Sequence, residues 1–274
     1  MTQLSIAEAW RGAGIDRTDA RALLKSVLRV DDAHLASHPE RVLTEEERGR
    51  YLALAERRRA GEPVAYLTGE REFYSLSFTV TPAVLIPRPE TELLVELALE
   101  RIPPEAHARI LDLGTGCGCV AIAIARARPR AEVVAVDASA AAVALARDNA
   151  RRHAVAGLTV LNGDWFGAVP GQRFDVVVAN PPYVAEGDPH LAEGDCRFEP
   201  RAALVAGATG FECIEAIIAA APSHLGPGGW LLFEHGIGQA RRCRALLASA
   251  GFAGAFTRPD LAGIERVSGA RCLT

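Results

Sequence analysis

At 274 residues with 49% apolar content, the chain is long enough for two domains or one large one and can bury a sizeable core. A formal net charge of −4 argues against broad, sequence-independent binding to nucleic acid. No run is long and apolar enough to span a membrane, and Met1-Thr-Gln-Leu lacks the basic and hydrophobic stretches of a secretory leader, so a cytoplasmic protein with no membrane contact and no stable nucleic-acid partner is expected. The cysteines at 117, 119, 196, 213, 243 and 272 show no paired CxxC spacing and read as reduced thiols.

The first 70 residues carry helical periodicity over Ile6 to Gly12, Thr18 to Val30 and Thr44 to Ala60, with Thr44-Glu-Glu-Glu47 as a capping box. No nucleotide signature appears there, and Glu56-Arg-Arg-Arg59 reads as a solvated helix face. Between Glu70 and Pro89 the pattern changes to alternation, Phe73, Leu76, Phe78 and Val80 and then Val84, Leu85 and Ile86, with Thr81-Pro82 between the runs. This predicts a β-hairpin over about 71–88 linking an N-terminal helical domain (1–70) to a larger domain (89–274). Pro87-Arg-Pro-Glu-Thr-Glu92 then opens a helix through Leu99, with Pro89 or Glu90 in its first turn.

Ile110-Leu-Asp-Leu-Gly-Thr-Gly-Cys-Gly118 reads as a short buried strand, a glycine turn and the start of an Ala-rich helix from about Val120 to Ala127. Gly114, Gly116 and Gly118, with Thr115 and Cys117 between them, let the backbone turn tightly and approach a ligand, and the helix N-terminus offers free N–H groups to a carboxylate or phosphate. Glu132 to Val136 is a second strand. It ends in Asp137, about twenty residues past the loop, where a carboxylate can accept from ribose hydroxyls; a helix N-cap is the plainer alternative. Leu158 to Asn162 is a third strand leading to Gly163-Asp164-Trp165-Phe166. In a doubly wound sheet that loop lies beside the glycine loop, where Asp164 can accept from an adenine amino group and Trp165 can cover the ring. Cys117-Gly-Cys119 as half of a metal site is a minor alternative; no metal is expected.

Phe174 to Ala179 is the fourth strand, and its carboxyl end delivers Asn180-Pro181-Pro182-Tyr183 to the same crevice. The tetrapeptide suits the methylation of a flat, weakly nucleophilic NH2 group. The Asn180 side-chain oxygen and the Pro181 carbonyl can each accept one N–H of such a group, leaving the lone-pair face open to a methyl donor. Tyr183 could then lie against the planar group and stabilise the positive charge that develops on nitrogen. A dinucleotide dehydrogenase would share the glycine loop and Asp137 but would have no use for this tetrapeptide. A long polar insertion follows, carrying Asp188-Pro-His190 and Arg197-Phe-Glu-Pro200, of the kind that serves as a lid or binding loop. Gly228-Gly-Trp-Leu-Leu-Phe233 is a fifth strand ending in Glu234-His235, read as architectural, and Ala255-Phe256-Thr257 with Glu265 to Ala270 suit a closing antiparallel pair.

With these motifs in place the chain resembles the class I methyltransferases that use S-adenosylmethionine, and more closely the release-factor glutamine methyltransferases of the PrmC/HemK family. Besides Asp112-Leu-Gly-Thr-Gly-Cys-Gly118 and Asn180-Pro-Pro-Tyr183, the similar stretches include Gly61-Glu-Pro-Val-Ala-Tyr-Leu-Thr-Gly69, Arg71-Glu-Phe73, Leu85-Ile-Pro-Arg-Pro-Glu-Thr-Glu92, Arg197-Phe-Glu-Pro200 and Glu234-His-Gly236. The resemblance implies a Rossmann-like α/β fold with a seven-stranded sheet. It also implies S-adenosylmethionine bound by Gly114 to Gly118, Asp137, Asp164, Trp165 and Asn180, and a glutamine amide held by Asn180, Pro181, Pro182 and Tyr183. Arg88, Arg197 and Glu199 become candidates for substrate contact. The implied partner is the Gly-Gly-Gln loop of class I peptide chain release factors, touched also by the N-terminal domain. An adenine-N6 nucleic-acid methyltransferase shares the NH2 geometry but usually needs a basic recognition surface; a non-catalytic S-adenosylmethionine-binding protein would have no reason to keep Asn180.

Overall fold

The computed structural model describes residues 4–273. They fall into two compact units, one made of the chain up to Glu70 together with Ala192–Phe198, the other of Arg71–Leu191 and everything from Glu199 onward.

The first unit holds helices α1 (Ile6–Gly12), α2 (Arg17–Leu28), α3 (Asp32–Ser37), α4 (Glu45–Arg59) and α5 (Val64–Thr68). α1 and α4 both begin with a reciprocal capping box, Ser5 with Glu8 and Thr44 with Glu47. Ile6, Leu23, Leu24, Leu35 and Tyr51 are fully buried in its core. The Tyr51 hydroxyl donates to the Ala9 carbonyl at 2.8 Å, so its polar end is satisfied there. The arginine run of α4 is more than a solvated face. Arg58 pairs with Asp19 of α2 at 2.6 Å, Arg57 pairs with Glu62 at 2.5 Å, and Arg59 donates to the Ala13 carbonyl at 3.1 Å.

A hairpin of β1 (Glu70–Phe73) and β2 (Leu76–Thr79) follows. Its turn is Tyr74-Ser75 and not Thr81-Pro82, and Val84 to Ile86 form no strand. Both turn residues have positive φ, 51° and 59°, as a two-residue hairpin requires, although neither is a residue type that advertises it. Thr81-Pro82 is a tight turn of its own, closed by Val84 N–H to Thr81 C=O at 3.1 Å.

A 3-10 turn at Pro89–Thr91 leads into α6 (Glu92–Arg101). The chain then alternates through β3 (Arg109–Leu113), α7 (Cys119–Ala127), β4 (Glu132–Asp137), α8 (Ala140–Arg152), β5 (Leu158–Asn162) and β6 (Phe174–Ala179). A short parallel pair, β7 (Val184–Ala185) with β8 (Val205–Gly207), brackets the insertion that contains α9 (Arg201–Leu204). Last come α10 (Glu212–His224), β9 (Leu225–Glu234), α11 (Ala240–Ser249), β10 (Ala253–Pro259) and β11 (Glu265–Arg271).

The main sheet has seven strands in the order β10-β11-β9-β6-β3-β4-β5. β9, β6, β3, β4 and β5 run parallel, and β11 and β10 close one side antiparallel. Parallel strands covered on both faces read as continuous apolar runs, which is why Ile110 to Leu113 and Val176 to Ala179 are buried throughout. β3 is flanked by β4 on one side and β6 on the other, so the order reverses there. The crevice beyond the carboxyl ends of these strands is where such sheets bind ligands.

Candidate active site

The loop after β3 is fixed from three directions. The N–H groups of Gly114 and Thr115 both donate to the Val136 carbonyl, at 2.9 and 3.0 Å, and Gly116 N–H donates to Asp137 Oδ2 at 2.8 Å. From α8 the buried Asn149 amide donates to the Cys117 carbonyl at 2.9 Å, while the same side chain exchanges hydrogen bonds with the Thr79 backbone at 2.9 and 3.0 Å. Gly114 takes φ +73°, and a Cβ there would stand 3.6 Å from the Trp165 ring and 3.9 Å from the Asn180 carbonyl. The loop after β5 and the tetrapeptide after β6 thus meet at Gly114. Gly118 does something else. It is the left-handed N-cap of α7 at φ +86°, and a Cβ there would press on Ile122 and Ala146 at 3.1 and 3.2 Å, so its lack of a side chain admits α8.

These loops enclose a cavity of about 270 Å³. Its wall includes Gly114, Thr115, Gly116, Cys117, Asp137, Asp164, Trp165, Asn180 and Pro182, together with Arg88, Thr91 and Asp112, but not Gly118, Pro181 or Tyr183. Asp137 engages both carboxylate oxygens with backbone N–H groups, Oδ2 with Gly116 and Oδ1 with Ser139 at 2.8 Å. It is not the N-cap of α8, a role taken by Ser139. Each oxygen keeps a further lone pair for a ligand hydroxyl. Burial pushes the Asp137 carboxyl up, against the pull of those two N–H groups. The Asp164 carboxylate is exposed and has no hydrogen-bond partner among the described residues. Trp165 has φ +43°, a strained value for a bulky residue that costs about 1–3 kcal/mol and is kept where the surroundings over-determine it.

Asp112 was part of the glycine motif in sequence but was not expected to act. Only 2% exposed, it accepts from the Thr115 hydroxyl at 2.6 Å and lies by the first turn of α7, where the Ala121 backbone helps to hold its pKa down. The protein's own carboxylate therefore occupies the helix N-terminus where a dinucleotide's pyrophosphate would sit. Burial raises its carboxyl to about 7, and Asp137 adds to the shift. A buried acid on a cavity wall, with no cation paired to it among the described residues, suits a positively charged, phosphate-free ligand.

Asn180 stands at the head of a buried relay. Its Nδ2 donates to Thr91 Oγ1 at 3.1 Å, Thr91 donates to Glu234 Oε2 at 2.6 Å, and the Tyr183 hydroxyl donates to Glu234 Oε1 at 3.1 Å. Tyr183 is packed on the sheet core, with its hydroxyl held well above its usual range by burial. Its hydroxyl is committed to Glu234, which fixes where the ring stands and leaves its ring face as the part that can meet a planar group. Pro181 is buried, and no described residue donates to its carbonyl.

A family model described as the PrmC N-terminal domain matches residues 6–69, and one described as the methyltransferase small domain matches residues 90–194. A protein from Burkholderia pseudomallei named release factor glutamine methyltransferase is 51% identical over 271 residues, 97% of this chain and 95% of that protein. One of the same name from Pseudomonas aeruginosa is 47% identical over 92% of this chain and 91% of its own length. This chain belongs to the release factor glutamine methyltransferase family. Among solved structures, the human Mettl16 catalytic domain superposes with a TM-score of 0.60 at 15% identity over 86% of both chains, a likeness of fold. So does a Thermus thermophilus 16S rRNA N2 G1207 methyltransferase, with TM-score 0.56 and 24% identity over 74% of this chain and 49% of that one.

In this glutamine methyltransferase family member, the three charged candidates separate. Arg88 lines the cavity and forms an ion pair with Glu199, whose buried carboxylate also accepts from the Ile86 N–H at 2.9 Å. Arg197 and Glu199 fall in different compact units. Arg197 lies in the helical unit, donating to the Gly194 carbonyl at 3.2 Å with its guanidinium over the Phe198 ring, and neighbouring Asp195 approaches Arg58 at 3.8 Å. His190 is exposed and paired with Asp188 at 2.8 Å. His235 is fully buried and bridges β9 to β11 through Ser268 at 3.0 Å. Thr91 and Glu234 both lie in stretches that carry the family resemblance, but Thr91 was given no role and Glu234 was read as architectural, since neither residue type at a helix entry or strand end shows by itself what it will touch.

Proposed function

We propose that this protein transfers a methyl group from S-adenosylmethionine to the N5 side-chain amide nitrogen of a glutamine in peptide chain release factors, specifically that of the Gly-Gly-Gln loop of class I factors, in the cytoplasm. The observation that carries the reading is the convergence of Asn180, with its amide oxygen unengaged among the described residues, and the Asp112-bearing glycine loop on one cavity wall. The residues present fit the cofactor. Asp112 supplies a buried negative charge for a cation, Asp137 can accept from ribose hydroxyls, and Asp164 with Trp165 can recognise adenine. When bound, S-adenosylmethionine supplies an electrophilic methyl on a sulfonium.

The rest of the chemistry is positioning. Asn180 Oδ1 and the Pro181 carbonyl accept the two N–H groups of the glutamine amide, which fixes its plane, raises electron density on nitrogen and leaves one face open. Holding that nitrogen about 3–3.5 Å from the methyl carbon supplies proximity and orientation. The nitrogen sheds one proton to solvent as the new N–C bond forms. The N-terminal helical unit, matched by its own family model over residues 6–69, contacts the release factor outside the reacting loop.

The test is to incubate the purified protein with labelled S-adenosylmethionine and, separately, release factors and DNA, and to locate the label by peptide and nucleoside mass spectrometry. Label on the Gly-Gly-Gln glutamine is expected; label on adenine, or none, overturns the reading. Asn180→Ala should lower kcat by about 10²–10³-fold, the cost typical of one lost preorganised hydrogen-bonding group, with cofactor affinity little changed.

A further inference from the structure

Asn180 can serve as an acceptor only if its amide is the right way round, and a free asparagine flips easily because its two ends are nearly the same shape. We infer that Thr91 and Glu234 are positioning residues that lock the Asn180 amide with Oδ1 toward the substrate, an inference that rests on the glutamine-methylation reading.

The argument is a count of donors and acceptors. Glu234 is fully buried and faces two hydroxyls, Thr91 at 2.6 Å and Tyr183 at 3.1 Å. An ionised carboxylate has no hydrogen to give, so both hydroxyls must donate to it. Thr91 has a single hydrogen and has spent it, which leaves Oγ1 only lone pairs for its other neighbour. The group of Asn180 that meets Oγ1 at 3.1 Å must therefore be the NH2. Oδ1 is then left with no partner among the described residues and lies on a side chain of the cavity wall. Flipping the amide would set two acceptors against each other at hydrogen-bond distance in a buried place, which is costly. Three elements supply the relay: the turn entering α6, the end of β6 and the end of β9.

A protonated Glu234 would undo this. It could give its hydrogen to Thr91, which would then be free to donate to Asn180 and stabilise the wrong orientation. The groups that bear on this carboxyl are Thr91 and Glu90 in the turn before α6, Tyr183 after β6 and Arg266 on β11. Burial raises it to about 7 with Glu90 in support, while Thr91, Tyr183 and Arg266 oppose the shift. Since the ionised form is the productive one, turnover should rise with pH through about 7 and level off above it.

The experiment measures methylation of release factor at saturating cofactor and substrate, from pH 5.5 to 9, for the unmutated protein, Thr91→Val, Thr91→Ser, Glu234→Gln and Asn180→Ala, with cofactor Kd measured alongside. Thr91→Val and Glu234→Gln are expected to lose about 10–100-fold in kcat while cofactor Kd stays within about twofold. Thr91→Ser should recover most of the Thr91→Val loss, and Glu234→Gln should abolish the acid limb of the kcat profile. The inference is overturned if both Thr91→Val and Glu234→Gln keep normal kcat while Asn180→Ala does not, which leaves the methylation reading standing. Unchanged turnover in Asn180→Ala would instead sink the methylation mechanism itself. Should the variants fail to fold, the unmutated protein still decides the matter, because the relay works only with Glu234 ionised and a kcat that falls as pH rises from 5.5 to 8 contradicts it.

Discussion

Asp112 and Glu234 are buried carboxyls that both hold a proton to about pH 7, far above where the unfolded chain would release it. Each of these two carboxyls therefore binds more proton in the folded than in the unfolded chain between about pH 4 and 7, and its own contribution to stability falls as pH rises through that window, the opposite of the usual acid-labile carboxylate. The two can be told apart by ligand. Asp112 lines the cavity and Glu234 does not, so a cationic cofactor should favour the ionised form of Asp112 and expel its proton. Isothermal titration with S-adenosylmethionine in two buffers of different ionisation enthalpy should show net proton release at pH 6 and close to none at pH 8.5, with affinity rising between them. Proton uptake at pH 6 would mean that Asp112 does not face the cation.

At the scale of elements, the cofactor loop depends on Asn149, which reaches from α8 to both the Cys117 carbonyl and the Thr79 backbone. Asn149→Ala would strand buried backbone groups at about 1–3 kcal/mol for an unsatisfied group. The expected result is a urea midpoint lowered by about that much, and a cofactor affinity reduced beyond what the stability loss alone explains, because Cys117 is released. None of this was legible beforehand: an asparagine inside a helical pattern looks like a weak helix former, and its partners lie 32 and 70 residues away. The central strands β3, β4 and β6 were legible, because parallel strands buried on both faces leave apolar runs of strand length, whereas β7 and β8, at two and three residues, were not. The tetrapeptide and glycine loop could be placed at strand ends for the same reason. The hairpin turn at Tyr74-Ser75 was not, since its positive φ values fall on residues that seldom adopt them. Helices α3 and α5, at six and five residues, are too short for a 3.6-residue period to show. Arg197 and Glu199 are two residues apart in sequence yet belong to different compact units, a separation no local pattern carries.

Across the whole molecule, each unit has its own hydrophobic core, one around Leu23, Leu24 and Tyr51, the other around Leu111, Val177 and Phe233. Every residue on the wall of the cofactor cavity belongs to the sheet unit. A ligand that binds only the folded sheet unit stabilises that unit by RT ln(1 + [L]/Kd), about 2.7 kcal/mol at a hundredfold excess over Kd. The three tryptophans make this observable, since Trp10 sits in the helical unit and Trp165 and Trp230 in the sheet unit. Trp230 is the better sheet reporter because Trp165 lines the cavity and would respond to the ligand directly. Urea unfolding of two single-tryptophan variants, one keeping Trp10 and one keeping Trp230, should give a Trp230 transition that moves up by about 2.7 kcal/mol with cofactor and a Trp10 transition that moves by clearly less. Equal shifts would mean that the two cores melt as one cooperative unit. In that case the helical residues 6–69 would contribute to cofactor affinity without touching the cofactor, and truncating them should weaken binding as well as substrate recognition.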